Sequence, residues 1–94
     1  MAQQKKSMSE QSRKIERVQT GVRIEKRLLK VLKGLAEYHE ITLGDLLEGI
    51  VLHSFDNKTP FSEKVLKKIK DLKSIYDLDL GSEDSHKLIE DQTN

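Results

Sequence analysis

Between Arg17 and Ile24 apolar or β-branched side chains alternate with others. Val18, Thr20, Val22 and Ile24 fall on one face, and Arg17, Gln19, Gly21 and Arg23 on the opposite one. No other stretch reads as a convincing β-strand, and two amphipathic helical patterns follow directly. A lone strand leaves backbone donors and acceptors along both edges. The economical solution is a second copy of the chain, its strand paired across a twofold axis into a two-stranded ribbon. Such a ribbon fits the major groove of DNA, and its polar face here carries groups suited to base edges. The strand thus predicts a dimer and double-stranded DNA as its partner.

Composition points the same way. Ninety-four residues allow one domain. With 35% apolar residues, 4% aromatic and no Trp, a monomeric core would be thin, and an intertwined dimer remedies that. Cysteine is absent, which excludes disulfides and thiolate metal sites and fits a reducing interior. The N-terminal residues lack the apolar run of a signal peptide, and no stretch approaches transmembrane length. These features predict a cytoplasmic, nucleoid-associated protein with no membrane partner.

The net charge of +1 conceals a polarity. Through Lys33 the chain holds ten basic residues against Glu10, Glu16 and Glu25, an excess of +7. The remainder holds seven Lys against thirteen Asp or Glu, which gives −6. Basic charge therefore collects on the N-terminal residues, the strand and the first helix, as a phosphate-facing surface requires.

Residues 1–16 are polar and aperiodic, and read as a disordered basic arm, with a solubilising stretch or an expression-tag remnant as the plainer alternatives. A first helix is predicted from about Glu25 to His39, its stripe formed by Leu28, Val31, Leu32, Leu35 and Ala36. Gly34 inside it costs roughly 1 kcal/mol relative to Ala, which close approach of another helix would explain. Thr42 is a good N-cap for a second helix, with Asp45 placed to favour its dipole. Leu43, Leu46, Leu47, Ile50, Val51, Leu52 and Phe55 then make that helix too apolar for one exposed side, so it belongs in a dimer core. The joint His39-Glu40-Ile41 lacks the usual Gly, so one of these residues should turn left-handed. Beyond the linker Asp56-Asn57-Lys58, a third helix opens at Thr59-Pro60 or Ser62 and ends near Tyr76, with Val65, Ile69, Leu72 and Tyr76 inward. Ser82 is read as the cap of a short acidic helix reaching about Ile89.

The alternating strand Val18-Gln19-Thr20-Gly21-Val22-Arg23-Ile24, the stripe Leu28/Leu32/Leu35/Ala36, and Ile41-Thr42-Leu43-Gly44-Asp45 leading into Leu46-Leu47 together resemble the ribbon-helix-helix family, the class of the Arc and MetJ repressors. The resemblance covers Arg17 to Phe55. It implies a mostly α fold: a homodimer with one strand per chain paired across the twofold axis, two core helices, and here an added C-terminal helical segment. The corresponding division is an arm at 1–16, a DNA-binding domain at 17–56 and a helical extension with an acidic end at 57–94. Position by position, the resemblance implies base readout by Gln19, Gly21 and Arg23. The phosphate clamp would be Thr42 with the amides of Leu43 and Gly44, aided by Arg17 and by Lys5 and Lys6 of the arm. The implied dimer core comprises Val18, Val22, Ile24, Leu32, Leu35, Leu46, Leu47, Ile50 and Val51. Two departures stand out: Gly21 sits where the family usually has a base-reading side chain, and the helix joint lacks Gly. Direct readout then rests on Gln19 and Arg23, supplemented by DNA shape.

Catalytic, metal and cofactor sites are not expected. His39, His53 and His86 lack ligand spacing, and His53 reads as a packed or interface residue. Asp77-Leu78-Asp79-Leu80-Gly81 begins like a calcium loop, but its glycine is one place early and Leu88 replaces the closing Glu. No Gly-rich phosphate loop or nucleophile motif is present. The reading is a sequence-specific transcription regulator of the repressor kind, acting on a palindromic operator as a homodimer or paired dimers. The alternative is an antitoxin-like interaction module whose C-terminal helices hold a partner protein.

Overall fold

The computed structural model describes residues 12–91. It is mostly helical: α1 spans Lys26–His39, α2 Leu43–Phe55 and α3 Glu63–Ile75, and a single 3-10 turn covers Ser82–Asp84. There is no β-strand among the described residues.

Each helix begins on a side-chain cap, because the first turn's amides have no carbonyl behind them. At α1 the Glu25 carboxylate accepts from the Leu28 amide at 2.8 Å. At α2 the Thr42 hydroxyl accepts from the Asp45 amide at 3.0 Å, and at α3 the Ser62 hydroxyl accepts from Val65 at 3.2 Å. The caps confirm the predicted helix starts, with Ser62 rather than Thr59-Pro60 opening α3.

The helix ends repeat one geometry. After α1, Glu40 is left-handed (φ 58°, ψ 42°), its amide donates to the Glu37 carbonyl, and the Ile41 amide donates to Ala36. Asn57 does the same after α2, with the Lys58 amide reaching His53. After α3 it is Asp77, with the Leu78 amide reaching Lys73. These paired bonds form Schellman motifs, which usually place Gly at the left-handed position. The left-handed residue expected at the first joint is thus Glu40, and the joint closes without glycine.

Packing centres on α1, which contacts both α2 and α3. Leu35 (1% exposed), Ala36 and Leu46 form the buried cluster, with Leu32, Ile50, Phe61, Val65, Ile69 and Leu72 packed around it. Three contacts set the α1–α3 register. The Lys30 ammonium lies 5.8 Å from the Tyr76 ring centroid, and the Lys68 ammonium 5.1 Å from that of Tyr38. Between them, a Cβ placed on Gly34 would stand 3.0 Å from a Leu72 methyl. Positions 30, 34 and 38 therefore face 76, 72 and 68, one helical turn at a time, and the helices run antiparallel. The close approach expected at Gly34 is that of α3.

In the single chain, residues 17–24, expected to pair as a strand with a second copy, carry no regular structure, and all but Ile24 are exposed. A strand exists only through a partner that takes up its backbone groups, and within one chain none is offered. The helix read from Ser82 to about Ile89 is only the turn Ser82–Asp84, with Gly81 at the cap position. Ser85 is extended and His86 left-handed (φ 68°), which ends it. The residues expected in a dimer core divide. Leu35 and Leu46 are buried by their own chain, Ile24, Leu32, Leu47 and Ile50 are half-buried, and Val18, Val22 and Val51 are exposed.

Candidate nucleic-acid interface

The irregular segment before α1 carries the arginines that the sequence assigns to DNA, and the structure gives each a carboxylate. Arg17 lies against the middle of α2, where its Nε and Nη2 donate to Glu48 at 2.8 and 2.7 Å. Hydrogen bonding to Glu48 holds the guanidinium above its ordinary pKa, with Asp45 contributing through its charge. The same bonds hold the Glu48 carboxyl below the usual Glu value. Arg17 is thereby brought to the N-terminal half of α2, the helix that carries Thr42.

Arg23 turns elsewhere. Its Nε and Nη2 donate to the Glu90 carboxylate, across 67 residues of sequence. Both side chains are exposed. Arg27, on the first turn of α1, bridges the same region: Nε meets Glu25 at 3.0 Å, and Nη1 donates to the Asp77 carbonyl at 2.9 Å and to Asp79 at 3.1 Å. Its guanidinium is held above its ordinary value, first by the bond to Glu25.

Gln19 and Gly21 are exposed, and a Cβ on Gly21 would meet nothing within 4 Å, so sterics here do not demand glycine. Thr42 is engaged as the α2 cap, and Leu43 and Gly44 form the first turn, where amides lack intrahelical acceptors. The resulting surface offers N–H donors and a positive dipole end to an anion. Lys5 and Lys6 lie outside the described residues.

The structure thus brings Arg17 to α2 and sends Arg23 to the C-terminal segment. Reading the sequence missed their partners, Glu48 and Glu90, and the Arg27–Asp79 bridge. Pairs 31, 67 and 52 residues apart leave no local signal. The burial of Leu78 (8% exposed) was also missed, although an apolar Leu between Asp77 and Asp79 is a hint of an inward position.

Elsewhere, the His53 Nδ1 lies 2.7 Å from the Gly49 carbonyl one turn back on α2. No helix among the described residues is long and apolar enough to cross a membrane. No protein-family model, curated protein or solved structure matches this chain.

Proposed function

We propose that the chain is a dimeric, sequence-specific DNA-binding transcription regulator of the ribbon-helix-helix kind, acting as a repressor. One observation carries this reading: the most apolar helix is left largely uncovered beside an exposed apolar–basic segment. On α2 only Leu46 is buried, while Val51, Leu52 and Phe55 are exposed, Phe55 at 79%. Val18 and Val22 stand at 79% and 73%. Exposed large apolar side chains in such number on one short helix and the segment next to it point to an interaction site. A second copy would cover the α2 face, and strand pairing across the twofold axis would satisfy the backbone of residues 17–24. The ribbon's polar face would then present Gln19 and Arg23 of both chains to one groove. Helix α3 packs into the α1 core rather than standing free, which favours a stand-alone regulator over an antitoxin-like module that folds around a partner.

Light scattering coupled to size exclusion should give a dimer at micromolar concentration, and selection from a random duplex pool should return a palindrome. On that operator, Arg23→Ala should cost about 1–3 kcal/mol per half-site and far less on scrambled duplex. A folded monomer without a selected sequence would refute the proposal. Equal weakening of both duplexes would make Arg23 a phosphate ligand only.

A further inference from the structure

The C-terminal acidic segment does more than end on a surface ion pair. The residues that lead into it are pinned to the first turn of α1 and the last turn of α3. Arg27 grips the Asp77 carbonyl and the Asp79 carboxylate, the Lys73 ammonium donates to the Leu80 carbonyl at 3.2 Å, and Leu78 is buried. Farther on, Leu88 lines a groove of about 430 Å³ together with Leu28 and Leu32. From these anchors the chain carries Glu90 onto Arg23.

The atoms engaged are what gives the contact its meaning. Glu90 takes both Nε and Nη2, one edge of the guanidinium fork. Arg recognises guanine O6 and N7, or two phosphate oxygens, through just such a two-donor edge. One edge cannot hold a carboxylate and a nucleic-acid acceptor pair at once. Tethering ten residues past Leu80 keeps the carboxylate at high effective concentration, so it competes without any second molecule.

We propose that the segment Ser82–Asp91 is a built-in competitor of DNA, with Glu90 masking one of the two-donor edges through which Arg23 can read a base until an operator displaces it. This rests on the DNA-binding reading given above. Binding then requires exchange of one bidentate acceptor for another, and weak polyanions are rejected because they repay that exchange poorly. Because the masked pair is exposed, its effect is modest: an ion pair of this type corresponds to about a two- to fivefold change in affinity per chain.

Two measurements on the whole 94-residue chain test this. The first needs no DNA. The sequence has no cysteine, so Ile89→Cys provides a single site for a nitroxide label beside Glu90. The expected result is paramagnetic broadening of the Gly21–Ile24 amides and of the Arg23 Nε–H signal, relieved by high salt. The second is titration of operator and scrambled duplexes with the wild type, Glu90→Gln and Glu90→Lys at several salt concentrations. Glu90→Gln should bind operator about two- to fivefold more tightly per chain, Glu90→Lys more tightly still, and the differences should shrink as salt rises. Absence of broadening overturns the masking contact. Broadening with equal operator affinity in all three proteins overturns the competition and leaves the DNA reading intact. If broadening is seen but no variant binds any duplex, the DNA reading itself falls, and the competitor role with it.

Discussion

Glu40, Asn57 and Asp77 each take the left-handed conformation that closes a helix, a position where a β-carbon costs roughly 1–2 kcal/mol. Asn tolerates it better than Glu, so the largest relief lies at Glu40. Glu40→Gly should stabilise the fold by about 0.5–1 kcal/mol after allowing for glycine's extra freedom in the unfolded chain. That amounts to several degrees in Tm for a chain of this size, with a smaller gain for Asn57→Gly. Calorimetry on both variants checks the order. A second residue-scale expectation concerns Glu25, whose carboxyl is held below its ordinary value chiefly by the bond from the Leu28 amide. A lowered folded-state pKa means that the stabilisation is complete above the ordinary Glu value of about 4.3 and is lost as pH falls through the lowered one. Denaturant midpoints for wild type and Glu25→Gln should therefore differ at pH 7 and converge in strong acid. A gap that persists unchanged to low pH would show that packing, not the charged cap, is responsible.

At the scale of elements, α1 and α3 are joined by a ladder of one contact per turn: a cation over an aromatic ring at each end and Gly34 against Leu72 at the centre. Removing Cβ at Gly34 costs α1 about 1 kcal/mol of helix propensity, which the close approach of Leu72 offsets. Gly34→Val should force the two helices apart and destabilise the chain by about 1–3 kcal/mol. It should also shift the ring resonances of Tyr38 and Tyr76 as the lysines above them move. Unchanged tyrosine signals with full stability would remove the case for a close central contact. The inward face expected of α3 forms a wall of the core, since Val65, Ile69 and Leu72, with Phe61 just before the helix, pack on the Leu35–Ala36–Leu46 cluster.

For the whole molecule the question is what covers α2. Its exposed Phe55 should leave water in a dimer, and burying such a side chain is worth about 1.5–3 kcal/mol. Phe55→Asp should then weaken self-association about tenfold or more while leaving far-ultraviolet circular dichroism close to wild type, because Phe55 is 79% exposed in its own chain. Sedimentation equilibrium gives the comparison. If the variant associates as tightly as wild type, the partner's surface lies elsewhere.

Legibility followed distance along the chain. Caps, helix lengths and the inward faces were readable because they depend on neighbours three or four residues apart: Thr42 with Asp45, Ser62 with Val65, and Val31, Leu32, Leu35 and Ala36 of the α1 stripe, although Leu28 at its start stays exposed. The need for some left-handed residue near Glu40 followed equally from a helix that ends without glycine. The acidic helix after Ser82 failed because propensity alone does not hold so short a piece, and no apolar face packs to extend it beyond one turn. The strand pattern at 17–24 specifies alternation but not a partner, so one chain leaves it unpaired. What only the tertiary structure decided is which charges meet. Arg17 finds Glu48 and Arg23 finds Glu90 because packing α2 and α3 on α1 brings distant segments together. Coulombic attraction between exposed groups is too weak and too unspecific to be written into local sequence.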